Sequence, residues 1–419
     1  MRVRVVVVGC GFGGVEVAGE LRRRAAARGK RKELELEVLM LDRRARFEYL
    51  AALPEILSGK VTGGEISADL SRFAAKIGAE FVNEEVVNIN FAAKTVETKG
   101  KRAEAGEGVG EGVGEGVGEG VGEGVGEGVG RQIPYDFLVL SVGAEQTFFG
   151  IPGAEERSHS VNSLKGAVET KNALDRLKLK GSKKVRVVVV GAGLTGVEVA
   201  GELVDYFEGV AAEIFLVEAA PRILPAFPSA NLARRVAKFL SGRGVEILTG
   251  EEAQEVSEKE VTFRDGSKRH YDLLLWTAGV KPNRLLERLE LQKEKGWLKV
   301  DSCLRVAGGG VKNVFAVGDA VWFERGGLRS GQNVEEAERQ GRVAAANIVR
   351  AVRGRGKGGR KGGGEKLKPY KPKNTTQNPR AFISLGGDKA VIFFRGLAFG
   401  VVAYRLKKFV ERRYLRRFK

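Results

Sequence analysis

Residues Val3–Leu21 read VRVVVVGCGFGGVEVAGEL and residues Val185–Leu203 read VRVVVVGAGLTGVEVAGEL, two copies that differ at only three positions. Each opens with an apolar run suited to a buried strand, turns on Gly-x-Gly-x-x-Gly (Gly9, Gly11, Gly14; then Gly191, Gly193, Gly196) and continues into a helix. The glycines permit a tight turn, close approach of the backbone to a pyrophosphate, and close helix–strand packing, with the anion at the helix N-terminus. A single motif of this kind is weak. Two of them, 182 residues apart and each in strand–turn–helix context, argue for two dinucleotides bound face to face.

Three further features recur after each fingerprint. An acid ends the second strand, Asp42 in LEVLMLD and Glu218 in EIFLVE. A meander follows, EEVVNINFAAKTVET in the first unit and AQEVSEKEVTFRDGS in the second. A closing strand then carries a glycine at its end, Gly143 in SVGAEQTFFGIPG and Gly279 in TAGVKPN. Alternating strands and helices in matched order predict an α/β protein of two Rossmann-like units. The comparison explains the six EGVG copies at 107–130 as a loop inserted in the first meander, where the second unit has the short turn Asp265–Gly266. The expected organisation is a first dinucleotide domain at 1–154, with 101–130 as insertion, and a second at 155–298. Residues 299–350 return to the first domain, 351–380 form a basic linker, and 381–419 form a small β–α tail.

The net charge of +18 is local. Residues 350–419 hold 21 Lys/Arg against Glu365, Asp388 and Glu411, while the rest of the chain holds 50 basic and 50 acidic side chains. The positive charge belongs to the tail and not to the catalytic body. Cys10 and Cys303 are the only cysteines, so neither a disulfide framework nor a metal site is expected. The first strand begins at Arg2, which leaves no room for a signal or transit peptide, and no apolar run approaches the roughly 20 residues of a membrane span. An intracellular protein, peripheral to a membrane, is the expectation; in a eukaryote the membrane can be that of an organelle.

Asp42 lies 28 residues beyond Gly14 and Glu218 lies 22 beyond Gly196. An acid at this place accepts hydrogen bonds from the hydroxyls of an adenosine ribose and repels a 2′-phosphate. Glu218 therefore favours NADH over NADPH, whereas Arg222 nearby would offset a phosphate. Gly318–Asp319 ends the apolar strand in VKNVFAVGDAVWF, where a carboxylate can hydrogen-bond the ribityl chain of a flavin. After two dinucleotide units, that marks the first nucleotide as FAD.

The order GCGFGG, Asp42, SVGAEQTFFGIPG, GAGLTG, WTAGVKPN and AVGDA resembles the two-dinucleotide-binding flavoprotein superfamily. Within it, FEYLAALPEILSG (47–59), FFGIPG and LTGVEVAGEL resemble the type II NAD(P)H dehydrogenases that act on quinones. The resemblance implies hydride transfer from NAD(P)H to FAD and then two-electron reduction of a membrane quinone, without proton pumping. It also implies that Glu198 sits between nicotinamide and flavin, although Glu16 holds the same place in the first fingerprint, where a carboxylate can simply complement the helix dipole. No Cys-x-x-x-x-Cys follows the first fingerprint, which disfavours disulfide, sulfide and peroxide acceptors. At the quinone site the family has Ala-Gln-x-Ala-x-Gln-x-Gly. Alignment on Gly341 puts Glu335 and Arg339 in place of its glutamines; a shift of one residue brings in Gln340, and Gln332 is a further polar candidate.

The tail predicts a hairpin through Gly386–Gly387 and a helix from about Phe399, with Phe399, Val402, Leu406, Phe409, Val410 and Tyr414 on one side and Arg405, Lys407, Lys408, Arg412 and Arg416 around or opposite it. Such a helix suits an anionic membrane surface. It also suits packing of its apolar side onto the first domain, and the plan is compatible with a homodimer. Nucleic-acid binding is disfavoured because no recognition motif accompanies the charge. Two other functions fit the pattern: a reductase of a small redox protein, and a flavoprotein similar to apoptosis-inducing factor, with a binding tail.

Overall fold

The computed structural model describes residues 2–26, 35–99, 130–179, 184–355, 366–394 and 397–419. The first unit is built on a five-stranded sheet in the order Val314–Ala316, Phe137–Leu140, Val3–Val8, Leu36–Leu41, Glu80–Val82, with every pair parallel. The second has a four-stranded parallel sheet in the order Val245–Thr249, Ala212–Glu218, Val185–Val190, Leu273–Trp276. Parallel strands carry crossover helices on both faces, so their sequences are continuous apolar runs and not alternating ones. VRVVVV is buried accordingly in both copies.

The strand at 314–316 joins the first sheet from beyond the whole second unit, so the chain leaves that unit and returns to it. Each unit carries an antiparallel meander, at 85–134 and 253–270. The EGVG insertion falls outside the described residues; its flanking strands, Thr95–Lys99 and Gln132–Pro134, pair antiparallel. Ala144–Gln146 pairs antiparallel with Val280–Pro282 and ties the two units together.

Both fingerprints show why the sequence needs glycine. Gly9 has φ +91°, and a Cβ there would stand 2.4 Å from the Ser141 carbonyl oxygen. A Cβ on Gly14 would stand 1.9 Å from the carbonyl oxygen of Gly9, so the turn closes against its own helix. From these turns run helix α1 (Phe12–Ala26) and helix α2 (Leu194–Tyr206). Helix α3 (Val334–Arg355) crosses α1 closely enough that a Cβ on Gly341 would meet the Gly13 carbonyl oxygen at 2.9 Å.

The tail spans both units. Ala381–Ser384 and Ala390–Phe393 form the expected hairpin, with Gly386 and Gly387 at positive φ in the turn. It lies on α2, where Gly201 touches Leu385 and Gly386 backbone to backbone. The final helix α4 (Val401–Leu415) then reaches the first unit. Its Tyr414 packs on Phe12 at 5.1 Å and on Phe47 at 5.6 Å between ring centres, and the following Phe418 stacks on Phe47 at 4.6 Å. Apart from Tyr414, the packing face is not the apolar stripe read from the sequence. Ala403, Lys407, Glu411 and Leu415 are buried, whereas Val402, Leu406, Phe409 and Val410 are exposed; Phe399 lies outside the described side chains. Buried carboxylates of the body lie beneath α4, and its Lys407 and Lys408 turn inward to pair with them.

Candidate active site

The two crevices are constructed alike. Asp42 accepts hydrogen bonds from Cys10 N (2.7 Å) and Arg44 N (2.8 Å); Glu218 accepts from Ala192 N and Ala220 N, both at 2.9 Å. Each carboxylate is thus oriented by the fingerprint turn and by the residue two positions on. A carboxylate has about four acceptor sites, so about two stay free for ribose hydroxyls. Above each helix start lies open space, with no protein atom within 4 Å of where a Cβ on Gly11 or Gly193 would stand. Neither helix has an acid in its first turn to compete with a bound anion. Gly143 and Gly279, both at positive φ, end the strands beside Gly9 and Gly191.

Gly318 and Asp319 form a short 3-10 turn after the last strand of the first sheet. The Asp319 carboxylate accepts no hydrogen bond from the described residues, and burial pushes its pKa up to about 6. A desolvated, unpartnered acceptor at the carboxyl end of the sheet fits a hydroxyl-bearing ligand. With the open cradle at Gly11 and the oriented Asp42, the residues present fit a flavin dinucleotide. Arg222 donates to the carbonyl oxygens of Leu224 and Phe227. It is therefore engaged by the carbonyl oxygens of its own loop.

The acceptor candidates separate. Gln340, only 2% exposed, accepts from Gly318 N at 2.7 Å and donates to Ser330 Oγ at 3.1 Å, so it orients the Asp319 turn. Gln332 donates to the Asp319 carbonyl oxygen at 2.9 Å. Glu335 and Arg339 turn away to residues of the 351–380 segment: Glu335 pairs with Arg380 (3.3 Å) and Arg339 donates to the Lys371 carbonyl oxygen (2.8 Å). His159 is tied by its main chain to the edge strand 273–276, and His270 is exposed beside Glu260.

Glu198 lies in the second turn of α2, buried beneath the tail. It accepts from Ser384 N at 2.9 Å and from Lys407 Nζ at 3.3 Å. Lys407 also reaches Glu55 at 2.8 Å, and Lys408 bridges Glu55 (2.9 Å) and Glu411 (2.8 Å). Burial opposes the charge on Glu55, Glu198, Glu411 and Lys407. At Glu55 the two lysines outweigh it and hold the carboxyl below the usual range. At Glu198 burial prevails over the shared, longer contact to Lys407, and the carboxyl rises. Burial prevails over Lys408 at Glu411 as well. The Lys407 ammonium, set between two acids, is held firmly charged.

Glu16, the counterpart of Glu198, instead pairs with Arg342 (2.9 Å) and Arg417 (2.8 Å). The last helix and its end therefore close over the glutamate of both fingerprints. Sequence reading missed Lys407, Glu55 and Ser384 at this place. The one available signal was the spacing of Ala403, Lys407, Glu411 and Leu415, which repeats every four residues along one helical face.

The chain matches the model of the pyridine nucleotide-disulphide oxidoreductase family over residues 3–341. The type II NADH:quinone oxidoreductase of Haemophilus influenzae is 25% identical over 379 residues, covering 82% of this chain and 79% of that protein. Among solved structures, NDH2 from Plasmodium falciparum in complex with NADH superposes with a TM-score of 0.77 at 15% identity, over 100% of this chain and 97% of that one. The sulfide:quinone oxidoreductase of Aquifex aeolicus gives 0.76 at 19% identity, over 99% and 91%. At these identities the structural likeness shows the fold alone, and one fold serves several acceptors. The sequence matches support an oxidoreductase of the type II NAD(P)H dehydrogenase kind that works with a flavin and a pyridine nucleotide. The duplicated crevices, the matched carboxylates Asp42 and Glu218 and the match over residues 3–341 agree: this chain belongs to the pyridine nucleotide-disulphide oxidoreductase family.

Proposed function

We propose that this protein oxidises NADH through FAD held in the first unit and reduces a membrane quinone by two electrons, without moving protons across the membrane. The observation that carries the reading is the pair of matched crevices, each with an oriented acid and an open helix start, joined across the strands 144–146 and 280–282. FAD supplies the hydride-accepting ring; the chain supplies orientation, electrostatics and exclusion of water.

Asp42 and Glu218 hold the ribose hydroxyls, and the starts of α1 and α2 hold the pyrophosphates. Asp319 takes a hydroxyl of the flavin side chain, with Gln332 and Gln340 fixing its turn. Glu218, with Arg222 engaged elsewhere, repels a 2′-phosphate and sets the preference for NADH. Glu198 orients the nicotinamide end, its carboxylate held in place by Ser384 and Lys407. A thiol route has little support: Cys10 is buried with its pKa raised by that burial and by Asp42.

The exposed face of α4 supports attachment to an anionic leaflet. Val402, Leu406, Phe409 and Val410 stand out beside Arg405, Arg412, Arg413 and Arg416, and no described helix is long and apolar enough to cross a membrane. Each cation near such a surface contributes about 1 kcal/mol. The deciding experiment mixes the yellow holoprotein anaerobically with NADH and then adds a short-chain quinone. Rapid bleaching followed by rapid reoxidation is expected. Bleaching without reoxidation by any quinone would move the acceptor to a protein carrier, and no bleaching would end the reading.

A further inference from the structure

In the segment Thr147–Gly150, consecutive phenylalanines point in opposite directions. Phe148 packs inward on Trp276, 5.8 Å between ring centres. Phe149 is 64% exposed and sits at φ +55°, a left-handed conformation that a bulky residue rarely adopts. Such a residue persists only where the surroundings impose it, and these cluster at ligand sites. Here the loop is held from both sides. Phe149 N donates to Thr147 Oγ1 at 3.1 Å, and Trp276 Nε1 donates to the Thr147 carbonyl oxygen at 3.0 Å.

One edge of the Phe149 ring lies against Gly279: a Cβ there would stand 2.2 Å from Phe149 Cζ. Gly279 adjoins Ala278, which packs directly on fingerprint Gly191, 2.7 Å from where its Cβ would be. The exposed ring therefore stands at the carboxyl end of the second sheet, at the rim of the nucleotide crevice. Strand order gives the crevice a direction. Glu218 ends the strand on one side of Val185–Val190, and Leu273–Trp276 lies on the other, leading to Gly279 and the strand that meets the first unit. A dinucleotide with its adenosine ribose on Glu218 and its pyrophosphate over Gly193 sends its nicotinamide half toward Gly279.

We infer that Phe149 is the wall of the nicotinamide subsite, its free ring face packing against the nicotinamide riboside of the bound nucleotide and shielding it from water. Gly279 is glycine because any side chain there would collide with the edge of that ring. Val280, 61% exposed beside it, extends the same apolar rim. The inference rests on assignment of the second unit to NADH.

The test uses the full-length holoprotein, its F149A and F149G variants, and F149Y as the conservative replacement. Glycine suits the left-handed position, so F149G removes the ring while relieving the backbone, and its thermal stability should equal or exceed that of the parent. Affinities for NADH and for ADP-ribose, which lacks nicotinamide, are measured together with the anaerobic rate of flavin bleaching. Loss of one stacked ring is expected to weaken NADH binding about tenfold in both small variants. ADP-ribose affinity and quinone reoxidation should stay unchanged, and F149Y should restore NADH binding. Unchanged NADH affinity in F149G, or an equal fall for ADP-ribose, would overturn the inference while leaving the reading of the second unit intact. Failure of the parent itself to bind NADH or ADP-ribose would overturn both.

Discussion

The duplicated fingerprint contains its own control for the docking of the tail. Gly19 in α1 and Gly201 in α2 occupy the same place in the identical stretch GVEVAGEL. A Cβ on Gly19 would meet only Phe73 Cζ, at 4.0 Å. On Gly201 it would stand 2.4 Å from Leu385 C, 2.6 Å from Leu385 O and 2.7 Å from Gly386 N. These are backbone atoms, so no rotamer change relieves the overlap, and the hairpin must withdraw by roughly an ångström to reach ordinary contact at 3.4 Å or more. That withdrawal loosens the bonds from Ser384 N to Glu198 and from Arg243 to the Leu385 carbonyl oxygen. Glycine-to-alanine in a helix interior gains up to about 1 kcal/mol at both sites. Overpacking costs about 1–3 kcal/mol, and here it falls only on Gly201→Ala. The common gain cancels, so Gly201→Ala should lie about 1–3 kcal/mol below Gly19→Ala. Paired denaturation curves measure the difference, and limited trypsin digestion at Lys366–Lys373 reports release of the tail. Equal stability of the two variants, with equal rates of tail cleavage, would refute the docking of the hairpin on α2.

Lys407→Met leaves Glu55 and Glu198 buried without their shared cation and should cost about 3–5 kcal/mol. Glu55 in the parent is held below its usual pKa, so its contribution is present at neutral pH and is lost as pH falls through that lowered value. In the variant both carboxyls rise and protonate, so the penalty should be larger at pH 8 than at pH 5; a penalty independent of pH would contradict the network. The Asp319 carboxyl, at about 6 in the folded chain, lies above its unfolded value of about 3.9. The flavin-free protein should therefore gain stability from this group as pH falls from 7 toward 4, and Asp319→Asn should flatten that part of the profile in thermal melts and weaken flavin retention. The double variant V402E/F409E should lose co-sedimentation with anionic vesicles while keeping its rate with a water-soluble quinone. Persistence of vesicle binding would assign attachment to another surface.

Much of the architecture was legible because it is local and repeated. Gly-x-Gly-x-x-Gly between an apolar run and a helix admits few backbone solutions; Asp42 and Glu218 are located by their distance from such turns, and Asp319 by the apolar strand it follows. The tail was legible only as elements. Its hairpin turn announced itself through Gly386–Gly387, but the orientation of α4 did not. A helical wheel weighs hydrophobicity, whereas the side that faces inward depends on what the body presents: here Glu55 and Glu198, far away in sequence. Glu335 and Arg339 were placed by alignment to a helix whose partners, Lys371 and Arg380, lie in the 351–380 segment and carry no recognisable pattern.

The contrast is sharpest in the two nineteen-residue copies themselves. Their sequence determined strand, turn and helix twice over, since those rest on dihedral freedom and hydrogen bonds within a few residues. It could not distinguish Glu16 from Glu198 or Gly19 from Gly201. Tertiary structure did, by bringing Arg342 and Arg417 to one glutamate and Ser384 and Lys407 to the other, and by laying the hairpin on one glycine only. Burial and charge pairing depend on segments up to 401 residues apart in the chain, and identical local sequences acquire different chemistry when the chain folds back over them differently.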